Sequence, residues 1–228
     1  MLTRNLTLAA LALFNALTAG AQQSRDIAPY LMADRAAEIA LARTAAPRNV
    51  SDSATVLVMT RTGFVEAVKG TNGFTCAVVR SFSGSVDDPN FLNTRVRAPH
   101  CFNPLAVRSI VPALVKGAEW FLAGATPSEL TTRTDRGYAS HEFQVPAAGA
   151  MAYMLSKKQV LSDTGPHWMP HLMFYYDKAM PASAWGAAGM TAPIIDGSAG
   201  DAHAPVLTLL IPVRQWSDGT PALAPAKH

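Results

Sequence analysis

The feature that most restricts the fold of this chain is that its predicted strands fall into two groups, separated by helices. The predicted strands are 54–60, 64–69, 74–81, 149–156, 171–176 and 206–213. Strands that are grouped in this way, and do not alternate with helices, favour an α+β fold. We therefore predict an antiparallel sheet of five or six strands, with the helices packed on one face.

Turn residues suggest how the first three strands connect. Arg61-Thr62-Gly63 separates the first two strands, and Asn72-Gly73 separates the second from the third. Asn-Gly between apolar runs is a strong short-range signal for a β-hairpin. The sequence thus predicts an antiparallel three-stranded meander.

Capping residues and proline set the predicted helix ends. An N-terminal helix is expected from about 26 to 45, with Asp26 as its cap. Asn103 opens a second helix, which Pro112 should kink. Thr126-Pro127-Ser128-Glu129 reads as a capping box at the start of a third helix, which should end near Gly137.

The order of these elements resembles that of profilin-like sensor folds of the PAS and Cache kind. The resemblance lies in element order alone. It implies a small-molecule pocket between the sheet and the helices.

The first 21 residues have the pattern of a signal peptide. Arg4 precedes an apolar run from 6 to 17, and Ala19-Gly20-Ala21 provides small residues for cleavage. Later residues contain no run of about 18 apolar positions, so no membrane span is expected in the mature chain. We expect an exported protein, periplasmic or secreted, with one α+β domain over 22–228 and a loose tail from about 221.

Composition argues against a nucleic-acid partner. The net charge is only +3, charged residues make up 15% of the chain, and the basic residues are scattered. A nucleic-acid-binding surface would need clustered Lys and Arg.

The two cysteines, Cys76 and Cys101, are a disulfide candidate, because an even pair in an exported chain commonly forms one. Two separate buried thiols are the alternative. Cys101 next to His100 could also serve as a nucleophile, since it lies just before a helix N-terminus.

A short segment combines histidine, tryptophan and tyrosine where a strand should begin. His167, Trp168, His171 and Tyr175 lie within nine residues, and we regard them as candidate ligand-binding residues. The alternative is that both histidine rings make only local hydrogen bonds.

A divalent metal is a second hypothesis for this segment, with His167, His171 and His100 as ligands. The spacing of the first two is that of a zincin pair, but Trp168 and Pro170 replace the helical context which that motif needs. In an extended segment the two rings would be about 13 Å apart, so only a tight turn would bring them together.

The sequence contains no nucleophile elbow, phosphate loop or dinucleotide fingerprint. Catalytic residues therefore remain unknown, and we expect a domain that binds a small molecule or an envelope protein. A metal-dependent or histidine-assisted hydrolase of the cell envelope, using His100 or His141 as well, is the alternative. A structural protein without a pocket is a third possibility.

Overall fold

Eight strands form one mixed sheet in the order β2-β1-β3-β4-β5-β6-β8-β7. The computed structural model describes residues 25–163, 168–198 and 205–222. The strands are β1 Thr55–Thr60, β2 Gly63–Val68, β3 Thr75–Val79, β4 Ala98–Phe102, β5 Ala150–Met154, β6 His171–Asp177, β7 Ile195–Asp196 and β8 Val206–Pro212. The helices are α1 Arg35–Arg43, α2 Arg48–Ser51, α3 Pro104–Ser109, α4 Val111–Leu122 and α5 Pro127–Ala139. The α+β class is as predicted, and the predicted signal peptide and most of the tail lie outside the described residues.

The predicted meander is wrong in one of its two connections. β1 and β2 form an antiparallel hairpin, but β3 pairs with β1 and runs parallel to it. The segment between β2 and β3 crosses the start of β1, so closely that a Cβ at Gly70 would lie 2.1 Å from the Thr55 nitrogen. Asn72 stabilises this crossing by donating to the Val50 carbonyl and accepting from the Phe74 N–H.

Two strands of the sheet were not expected from the sequence, which explains why the count is eight and not five or six. β4 lies in a part of the chain where we predicted no strand, and it contains Pro99. Proline cannot donate to a ladder, and β4 pairs with β5 only at Cys101 and Phe102. β7 has two residues, too few for a hydrophobic pattern.

The N-terminal helix is shorter than predicted. Asp34, not Asp26, caps α1, and its carboxylate accepts from the Ala36 and Ala37 N–H groups. Asp26 accepts from the Ala28 N–H at the start of a single 3-10 turn.

The other predicted caps are confirmed. Asn103 caps α3 by accepting from the Ala106 N–H, and Thr126 with Glu129 forms a capping box on α5. Pro112 lies in the first turn of α4. The helix is interrupted just before it, at Ile110, which separates α3 from α4. Gly137 does not end α5 but lies within it, against the Phe143 ring.

Helices cover both faces of the sheet, so the prediction of a single covered face is wrong. α1 packs on the face formed by Val56, Cys76, Val78 and Cys101, which we call the α1 face. α3, α4 and α5 lie over the opposite face, which we call the pocket face. Both faces of the central strands are apolar, and each therefore needs a covering layer.

The predicted disulfide is present. Cys76 and Cys101 are opposite each other on β3 and β4, with their Cα atoms 4.0 Å apart. The bond excludes both the separate buried thiols and the thiol nucleophile. It also ties together the two strands that flank the segment between β3 and β4.

None of the helices in the described part of the chain has the length and apolarity that crossing a membrane requires.

Candidate ligand pocket

A pocket of about 840 Å³ lies between the pocket face of the sheet and helices α4 and α5. Most of its lining is apolar, including Phe102, Leu114, Leu130, Met173 and Leu210. Its volume is within the range of sites that hold small organic molecules, roughly 300–1,000 Å³.

The segment from Ser81 to Phe91 forms one side of the pocket. Phe82 anchors this side, because its ring stacks on Phe121 of α4 with the centroids 4.0 Å apart. The Cys76–Cys101 disulfide fixes the two strands from which the segment leaves and to which it returns. An aromatic stack and a covalent link therefore hold this side of the pocket in place.

Two histidines from different strands line the pocket, His100 on β4 and His171 on β6. Met154 of β5 is opposite His171, and continuing the β4–β5 register by one residue places Met154 opposite His100 as well. The two histidines therefore lie on the same face, with about 10 Å between their Cα atoms at the usual strand spacing.

Both histidines are held in the same tautomer. The Nδ1 atom of His100 is 2.9 Å from the Ala98 carbonyl oxygen, and that of His171 is 2.9 Å from the Met169 carbonyl oxygen. A carbonyl only accepts, so each Nδ1 carries the proton and each Nε2 carries a lone pair. Within the described residues we find no hydrogen bond to either Nε2 atom.

Burial keeps the two imidazoles neutral. It lowers the pKa of His100 to about 4, and the nearby His171 lowers it further, although the hydrogen bond to Ala98 acts in the opposite direction. Burial also lowers the pKa of His171. At neutral pH the pocket thus holds two uncharged acceptors.

Trp168 and Tyr175 also line the pocket. The Trp168 ring meets His171 edge to face, with 5.4 Å between centroids. The Tyr175 hydroxyl donates to the Met173 sulfur at 3.6 Å, and burial raises its pKa. Tyr175 is therefore a neutral phenol whose oxygen can still accept.

Two serine hydroxyls in the pocket lining lack a hydrogen-bond partner. The Oγ atoms of Ser81 and Ser83 are inaccessible to solvent, and neither has a partner within the described residues. Ser81 is only 8% exposed. Leaving such a buried hydroxyl unpaired costs about 1–3 kcal/mol.

Among the described residues, charge in the pocket lining is confined to the rim and to Arg80, which is paired within the protein. Arg80 donates to Glu38 at 2.8 Å and to the Tyr30 carbonyl at 2.7 Å, so its guanidinium is already paired. Asp87 and Asp88 are exposed carboxylates at the rim. In the described part of the chain, the Arg80–Glu38 pair is therefore the charge in the buried part of the lining, and it is internally neutralised.

The structure brings together most of the residues that the sequence suggested. His171, Trp168 and Tyr175 line one pocket, and His100 joins them from a strand that was not predicted. His167 lies outside the described residues. His141 is exposed after the end of α5 and does not line the pocket.

The metal hypothesis remains a prediction. The described part of the chain contains no group of three or more His, Cys, Asp or Glu side chains arranged to hold a metal ion.

The sequence analysis did not identify Ser81, because nothing in its sequence context marks its hydroxyl as unpaired.

Comparison of the chain with protein-family models, with curated proteins and with solved structures finds no match in any of the three.

Proposed function

We propose that this protein binds a small, mainly apolar molecule in the pocket between the sheet and helices α4 and α5. The observation that carries the proposal is the concave, mainly apolar pocket of about 840 Å³, with the neutral imidazoles of His100 and His171 in its lining. A bound molecule would cover this apolar lining and place a polar group against the imidazoles. The concave shape also favours a small molecule over an envelope protein as the partner.

Binding of the neutral apolar dye N-phenyl-1-naphthylamine tests this proposal, because its fluorescence rises in apolar surroundings. The variant Gly117→Phe should occlude the pocket, since Gly117 lines it and open space surrounds the position where a Cβ would be. We expect saturable binding to the native protein and at least a tenfold loss in this variant.

The matched control is Gly189→Phe, which adds the same side chain at an exposed glycine outside the pocket. This variant should bind the dye as the native protein does. Equal binding by all three proteins would show that the dye does not occupy the pocket.

A histidine-assisted hydrolase is the second candidate, because two neutral imidazoles face one pocket. Against it, a base with a pKa near 4, as in His100, is a weak proton acceptor at neutral pH. We expect no hydrolysis of p-nitrophenyl acetate above the buffer rate. Robust hydrolysis that His171→Phe abolishes would favour the hydrolase.

The divalent-metal version of this candidate involves His167, His171 and His100, and elemental analysis of protein purified without chelator tests it. Near-stoichiometric metal that is lost in His171→Ala would support it.

We also propose that the protein is exported after cleavage near Ala21. The Cys76–Cys101 disulfide supports this, since disulfides persist in oxidising compartments. N-terminal sequencing of the protein from the periplasm of a Gram-negative host should give a chain that starts at Gln22. An uncleaved chain in the cytosol would contradict the proposal.

A further inference from the structure

We infer that the pocket selects a neutral ligand with a hydrogen-bond-donating group, a hydroxyl or an N–H, over a carboxylate and over a ligand without a donor. The inference rests on the proposed function, because it specifies the chemistry of the molecule that the pocket holds.

The two histidines offer the pocket acceptors and no donors. The Nδ1–H groups of His100 and His171 are used by backbone carbonyls, which leaves each Nε2 with a lone pair and no proton. The Tyr175 hydroxyl directs its proton to the Met173 sulfur, so its oxygen also remains an acceptor. A ligand that donates would therefore pair with the lone pairs of these atoms.

A carboxylate fits this lining poorly. A buried anion needs a cation or several donors to offset its loss of hydration. Among the described lining residues the arginine is Arg80, and it is already paired with Glu38. A carboxylate would face the lone pairs of two imidazoles, whose burial opposes the protonation that would make them donors.

The part of the chain that the structure describes offers a cation no free buried counterion either. Its carboxylates in the pocket lining, Asp87 and Asp88, are exposed at the rim, where water screens them. Glu38 serves Arg80. The pocket therefore favours an uncharged molecule, with a donor for the imidazoles and an apolar body for the aromatic and aliphatic lining.

Three ligands with the same ring system test this inference. 2-Naphthol is a neutral donor, 2-methoxynaphthalene carries a methyl group in place of the donated proton, and 2-naphthoate is an anion. Each is measured at pH 7.5 by displacement of N-phenyl-1-naphthylamine from the native protein. We expect 2-naphthol to bind about tenfold more tightly than either of the others, as one well-formed hydrogen bond permits.

His171→Phe and His100→Phe identify the acceptor. Each variant keeps an aromatic ring and removes the Nε2 lone pair. At least one should lose the preference for 2-naphthol while it binds 2-methoxynaphthalene as before. The ether thus reports that the pocket is intact, and the comparison of the three ligands on the native protein decides the question if a variant does not fold.

The outcomes separate the two proposals. Displacement of the dye with no preference for 2-naphthol, or with a preference for 2-naphthoate, overturns the inference and leaves the proposed function standing. Failure of the native protein to bind the dye at all overturns the proposed function, and the inference with it.

Discussion

The two faces of the sheet are packed in opposite ways. On the α1 face, the small residues Ala42, Ala45 and Ala46 meet the disulfide and the valines of β1 and β3, and this layer is closed to solvent. On the pocket face, large aromatic and aliphatic side chains surround a pocket of about 840 Å³.

Buried polar groups do not divide between the two faces in the same way. Glu38 of α1 accepts from the Met59 N–H and from Arg80, which lines the pocket, so this ion pair connects α1 to the pocket wall. Within the described residues, the Arg43 Nε atom of α1 and the Ser81 and Ser83 hydroxyls are buried without a hydrogen-bond partner. The contrast between the faces therefore lies in how they are packed.

Removal of Glu38 should be the most damaging change to the α1 face. Glu38→Ala leaves Arg80 buried without its counterion, and loss of one partner of a buried pair costs about 3–5 kcal/mol. Urea denaturation measures this loss. The double variant Glu38→Leu/Arg80→Met should recover much of it, and a loss below about 1 kcal/mol in Glu38→Ala would show that the pair does not hold this face together.

Acid should destabilise the protein through the pocket face. The pKa of His100 is about 4 in the folded protein and about 6.5 when unfolded, so the unfolded chain binds more protons between these values. Stability is fully present above pH 6.5 and should fall by about 3 kcal/mol as the pH drops to 4. The lowered pKa of His171 acts in the same direction.

Denaturation at a series of pH values checks this prediction, and the variant His100→Phe supplies the control. Its stability should vary less between pH 6.5 and pH 4 than that of the native protein. An unchanged slope would mean that His100 is not the group responsible.

The same substitution on the two faces should have different costs. Ala42→Leu inserts a large side chain into a filled layer, where overpacking costs about 1–3 kcal/mol. Ala113 lines the pocket, where there is room for a larger side chain. Ala113→Leu should therefore change the free energy of unfolding by less than about 0.5 kcal/mol, while it weakens dye binding. Thermal unfolding of both variants decides the matter, and equal losses would contradict the contrast between the faces.

The smallest effect should be a gain. Gly117 lies inside α4 with open space around its Cβ position, so Gly117→Ala should stabilise the protein by up to about 1 kcal/mol through helix propensity. Gly137→Ala in α5 is the matched comparison. Its Cβ would lie 2.4 Å from the Phe143 ring, so this substitution should destabilise the protein. Thermal unfolding that shows the same sign for both variants would contradict this account.

Local signals in the sequence identified two of the three predicted helix caps, and they failed for Asp26. Asn103 and Thr126 each stabilise a helix start through atoms within three residues, so their roles can be predicted from the chain itself. Trp168, His171 and Tyr175 line one pocket because they belong to one strand and the segment before it, and their role in binding stays a prediction.

Features that depend on distant parts of the chain were not predictable. Asn72-Gly73 has the composition of a hairpin turn, yet the parallel pairing of β3 with β1 gives the segment a different path. Pro99 obscured β4, and with it the position of His100 beside the other site residues. The missing partners of Ser81 and Ser83 reflect how the whole fold encloses them, which the local sequence does not encode.

The disulfide has a consequence for proteolysis. Cys76 and Cys101, 25 positions apart, close a covalent ring that includes the exposed residues Gly84 and Asp87–Pro89 at the rim of the pocket. A protease that cuts at these residues would open the ring but leave both fragments joined. The nicked protein would migrate as one species until a reductant is added, and the pocket would keep both strands that flank the cut.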